Sequence, residues 1–89
     1  MHELSIAESL VEAASEAARE EGIARVTAVH LRLGKFAGVA SESLLFCYEV
    51  AAKGTALEGS KLVIEPVAGH AIEIRALECP DPDDGSGLR

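Results

Sequence analysis

The chain has 89 residues and a formal net charge of −7, from eight basic and fifteen acidic side chains. That length holds one small domain, and that charge argues against nucleic-acid backbones and anionic bilayers, which both select Lys and Arg. Phe36, Phe46 and Tyr48 are the only aromatics, so the core is thin; a domain of this size buries roughly two-thirds of its unfolded surface, and marginal stability or self-association follows.

Residues 3–21 read as a helix. Leu4, Ile6, Ala7, Leu10, Val11, Ala14 and Ala18 share one half of the helical wheel, and Ser9, Glu12, Glu16, Arg19 and Glu20 fill the other. Ser5 and Glu8 have capping-box spacing, and Gly22 supplies the stop. Next, Thr27, Val29, Leu31 and Leu33 alternate with Ala28, His30 and Arg32, the pattern of a half-buried strand. "GKFAGVA" reads as a loop. "SESLLFCYEVAAKG" reads as a second helix, capped by Ser41 and ended by Gly54. Its polar stripe is narrow, so it is expected to lie deeper than the first, with Phe46 oddly placed beside Glu42, Glu49 and Lys53. "KLVIE" and "HAIEIRALE" read as strands whose short link, "PVAG", favours an antiparallel hairpin. Leu62, Ile64, Ile72 and Ile74 form one apolar face. From Cys79 onward the composition predicts a flexible tail, leaving residues 1–78 as the domain.

The predicted class is therefore α+β: two helices packed on a small three-stranded sheet, in the order helix, strand, helix, strand, strand. The middle strand–helix–strand suits a crossover, which makes the sheet mixed. Two cysteines, Cys47 and Cys79, do not make a disulfide framework. No run spans a bilayer, and no basic leader precedes the first helix. These features predict a reduced, cytoplasmic protein that is a monomer or a homodimer.

The first residues, "MHE", carry the most distinctive chemistry. The Met1 amine, the His2 backbone nitrogen and the His2 imidazole can close small fused rings on one ion. A metal that favours flat coordination displaces the amide proton, and nitrogen-rich tetragonal sites suit Ni(II) or Cu(II). Glu3 completes the set through its amide nitrogen or its carboxylate. The competing reading is a solvated N-terminal histidine. Elsewhere, no nucleophile with a base and an orienting partner is visible, so the reading is of a binding protein and not of an enzyme.

"MHELSIAESLVEAA", "VHLRLGKFAGV" and "GTALEGSKLVIE" together resemble the HypA/HybF family of nickel-incorporation proteins of hydrogenase maturation. The likeness runs over about the first 65 residues and resumes at "AIEIRALE". The resemblance implies a nickel metallochaperone with Met1, His2 and Glu3 at the metal. It also implies partnership with a HypB-type nickel GTPase and the hydrogenase large subunit, and some members also serve urease. The family normally places a zinc domain with two CxxC pairs between the last two strands. No CxxC occurs in these 89 residues, so no zinc is expected. The alternative function is a metal-independent adaptor that docks to the same partners.

Three further candidates stand beside this site. His70, in the link between the last two strands, is a possible extra ligand, against the plainer reading of a turn residue in water. Glu12 and Glu16 belong to a ridge with Glu8 and Glu20, which reads as a solvated face or as a docking surface for a basic partner. Phe46 reads as an exposed aromatic of the kind that marks an interface.

Overall fold

The computed structural model describes residues 2–80. Its elements are α1 (His2–Glu20), β1 (Ala28–Gly34), α2 (Ser41–Ala52), β2 (Lys61–Val67) and β3 (Ile72–Glu78). The predicted class and order hold: two helices lie on one three-stranded mixed sheet. Met1 and the predicted tail beyond residue 80 lie outside the described residues.

α1 buries Ala7, Leu10, Val11, Ala14 and Ala18, the stripe that its spacing marks out. It starts at His2, so Ser5 lies inside the helix and is not its cap. Gly22, at φ 72°, ends it. The Ile23 N–H donates to the Ala18 carbonyl (2.8 Å) and the Gly22 N–H to that of Arg19 (3.1 Å), which is the Schellman pattern.

The strand order is β2-β1-β3. β1 runs parallel to β2 and antiparallel to β3. The predicted hairpin is thus corrected: β2 and β3 are not neighbours, because the link between them crosses the end of β1 instead of turning back. β1 occupies the centre, and its Val29, Leu31 and Leu33 are all buried. A register shift between His30 and Leu31 pairs Val29 with Leu77 and Leu31 with Ile74, so Arg75 is the extra residue. This bulge keeps Leu77 on the core face. Tyr48 is buried, and its hydroxyl meets the Ser60 Oγ at 2.6 Å, which satisfies its polar end.

α2 departs from expectation in two ways. Its N-cap is Ala40, with extended backbone and no cap from its own side chain, so Ser41 is the first helical residue. It is also not the deeper helix. Leu44, Tyr48 and Ala52 are buried, but Leu45, Phe46 and Val50 are exposed. α1 and the sheet cover only one side of α2, and its all-round apolar sequence does not reveal which.

Candidate metal centre

His2 and Glu3 sit where α1 begins, against the beginning of α2. The N–H groups in the first turn of a helix have no partner in its ladder; the backbone nitrogens of His2 and Glu3 lie in that turn, and the Glu3 N–H turns to its own carboxylate. The His2 side chain is 60% exposed, and that of Glu3 only 18%. Glu3 reaches across to α2, where its Oε2 accepts a hydrogen bond from the Ala40 N–H at 3.0 Å. In a capping box that N–H would meet an acidic side chain three residues into its own helix. Ser43 stands there in α2, and Glu3 supplies the carboxylate from another element.

The Ala40 N–H holds the Glu3 carboxyl below its ordinary range, against an opposing push from desolvation; the charge of His2 helps less. A carboxylate at a helix N-terminus is also favoured by the helix dipole. The other Glu3 oxygen, Oε1, lies 3.8 Å from the His2 Nδ1. Nδ1 is the ring nitrogen that closes a small chelate ring with the His2 backbone nitrogen. The start of α1 therefore presents an open imidazole and backbone nitrogens outside the helical ladder, with a carboxylate braced behind them. Sequence reasoning placed Glu3 as a ligand and missed the brace, because its partner lies 37 residues away and Ala40 has no chemical signature.

The other candidates lie apart. His70 is exposed in the link between β2 and β3 and stacks against Phe36, with ring centroids 6.0 Å apart and planes tilted by 44°. Among the described residues no group of three or more His, Cys, Asp or Glu side chains is gathered in metal-binding geometry, so none brings His70 together with His2 and Glu3. His30, read as structural, pairs with Glu78 on the open face of the sheet (Nε2 to Oε2, 2.6 Å). Phe46 is 66% exposed. Glu12 and Glu16 are exposed, and Arg19 bonds Glu16 at 2.9 Å. An apolar groove of about 510 Å3 between α1 and β3, lined by Ile6, Leu10, Ile72 and Ile74 among others, has no counterpart in the sequence reading. Periodicity finds a buried stripe but not the place where its cover is incomplete.

Residues 1–80 match the family model described as hydrogenase/urease nickel incorporation, metallochaperone, HypA. The chain belongs to the HypA family. The hydrogenase maturation factor HypA of Roseiflexus sp. (strain RS-1) is 63% identical over 67 residues, which are 75% of this chain and 54% of that protein. That of Chlorobaculum tepidum is 54% identical over 70 residues, 79% of this chain and 62% of the relative. That of Methanopyrus kandleri is 44% identical over 79 residues, 89% of this chain and 54% of the relative. The chain thus spans about half the length of the HypA relatives it matches. No helix among the described residues is long and apolar enough to cross a membrane.

Proposed function

We propose that this chain captures Ni(II) at its N-terminus and passes it on for hydrogenase maturation, with urease as a second possible destination. The observation that carries this reading is the start of α1. It sets backbone nitrogens that lie outside the helical ladder beside an exposed His2, while the Glu3 carboxylate is held by α2. Met1 would give its amine, His2 its backbone nitrogen and Nδ1, and Glu3 its backbone nitrogen, since its carboxylate is engaged with Ala40. Binding sheds the displaced amide protons to solvent, and the nickel retains its charge and oxidation state throughout. An ion held at an exposed helix start stays open to an incoming ligand, so transfer proceeds by exchange and not by wholesale unfolding. The role is binding and delivery, without catalysis. Copper(II) competes for the same nitrogens, and the partner selects nickel. The partners are a HypB-type nickel GTPase and the hydrogenase large subunit. We assign no zinc to these residues, and His70 serves at most as an accessory ligand.

Titration calorimetry tests the reading. The untagged chain is expected to bind Ni(II) tightly. His2→Ala, or acetylation of the Met1 amine, is expected to cause a large loss, because the first removes the imidazole and the second the free amine. Equal binding by all three proteins would sink the metal site. The second reading, a metal-independent adaptor, draws on the exposed Phe46. It gains if none of the three binds nickel and the chain still binds the GTPase.

A further inference from the structure

The sheet has two outer edges, and they differ. β3 carries the bulge at Arg75, a device that twists an edge away from further pairing. β2 is regular along its whole register with β1. The Lys61 N–H donates to the Thr27 carbonyl (3.0 Å) and the Val67 carbonyl accepts from the Lys35 N–H (2.8 Å). In a parallel ladder the backbone groups that face the neighbour belong to alternate residues. Lys61, Val63, Glu65 and Val67 therefore point towards β1, and Leu62 and Ile64 turn their N–H and C=O outward. Pro66 shares the outward phase, the position in which an edge strand accepts a proline.

The side chains on this edge are self-complementary. "KLVIE" has a basic end, an acidic end and a valine at its centre. We propose that the outer edge of β2 pairs antiparallel with the β2 edge of a second copy of this chain, about a two-fold axis through Val63. In that register Leu62 of each copy exchanges both backbone hydrogen bonds with Ile64 of the other. Lys61 of each copy faces Glu65 of the other on the open side of the sheet. Val63, 41% exposed within one chain, faces its own copy as a closely spaced, non-hydrogen-bonded pair. Pro66 has no N–H to offer, which ends the ladder and limits the joint to this stretch. A slip of register sets Lys61 or Glu65 against an apolar or like-charged residue, so the charges select one arrangement. The joint leaves the start of α1 free, and it stands independently of the nickel reading.

Register-specific cross-linking tests this. All variants carry Cys79→Ser to remove the exposed thiol, and half-buried Cys47 is common to all. Across the proposed axis Val63→Cys brings two Cα atoms to about 4.5 Å, within disulfide range. Lys61→Cys leaves its copies four residues apart along the strand, about 13 Å, which no disulfide spans. Mild oxidation is expected to link the first variant and not the second. Val63→Lys sets like charges face to face at an exposed position. It is expected to weaken dimerisation in sedimentation equilibrium by on the order of tenfold without lowering Tm at dilutions where the parent chain is monomeric. Equal linking through both cysteines, or association that survives Val63→Lys, places the contact elsewhere and overturns the proposal. A chain that is monomeric at every concentration also overturns it, and leaves this edge to a strand of another protein.

Discussion

At Gly34 the end of β1 lies directly under the link between β2 and β3. The Gly34 N–H donates to the Ala71 carbonyl at 2.7 Å, and the Phe36 N–H to that of Gly69 at 2.8 Å. A Cβ on Gly34 would overlap the Gly69 carbonyl oxygen and stand 2.6 Å from its carbon and 2.8 Å from the Ala71 nitrogen. These are backbone atoms and cannot rotate aside. Gly34→Ala is expected to cost about 1–3 kcal/mol, as overpacking does, and to lower Tm by on the order of 10 °C; an unchanged melting curve would show that the link moves freely. Tyr48 acts through its hydroxyl. Burial raises its pKa, while the bond to Ser60 pulls the other way by less. The folded chain therefore keeps this proton where the unfolded chain releases it. The stabilisation is complete below the ordinary tyrosine pKa of about 10 and is lost as pH rises through the folded value. Tyr48→Phe is expected to lose about 1 kcal/mol at neutral pH and to show a shallower fall of Tm in alkali than the parent chain. Parallel alkaline curves would remove Tyr48 as the source. It is the chain's single tyrosine, so ultraviolet titration reports it directly.

Among the elements, what could be read in advance followed from local periodicity. The alternation of Val29, Leu31 and Leu33 and the helical stripe through Ala7, Leu10 and Ala14 each specify a face. Gly22 specifies a stop, because a Schellman turn needs only one residue in the left-handed region. Strand neighbours are a different matter. The link is long enough to span the width of a strand, about 5 Å on either side, so it serves a hairpin and a crossing equally well. Both topologies leave Leu62 and Ile64 facing the core, and alternation cannot separate them. The side of α2 that stays open was also illegible, although Phe46 among charged residues did signal its own exposure. With Leu45 and Val50 it leaves α2 an apolar strip at the surface. Phe46→Ser is therefore expected to change stability by less than about 0.5 kcal/mol and to weaken binding to the GTPase proposed as its partner. Reversing Glu12 and Glu16 is expected to weaken that complex mainly at low salt, where surface charges act at range. Pull-down affinities unchanged by both substitutions would leave these residues as solvated surface only.

For the whole molecule, the proposed metal site would couple cargo to stability. α1 and α2 share one core, and Glu3 ties the first turn of α1 to the α2 N-cap. On the proposed reading, nickel held by residues 1–3 would bind an arrangement that unfolding removes, because unfolding separates Glu3 from Ala40 and frees the first turn. A ligand that binds the folded state alone stabilises it by about 2.7 kcal/mol at a hundred times its Kd. In a domain of this size that corresponds to a rise in Tm of roughly 10–20 °C. Any affinity of the unfolded N-terminus for nickel subtracts from the rise, since its nitrogens persist without the fold. The size of the shift therefore measures how far the folded start of α1 preorganises the site. A short peptide of the first residues provides the comparison. If the chain binds nickel more tightly than the peptide, Tm rises with nickel, falls again on chelation, and stays flat when the Met1 amine is acetylated. If peptide and chain bind equally, Tm does not move, the Ala40 brace contributes nothing to capture, and Glu3 serves only to join the two helices.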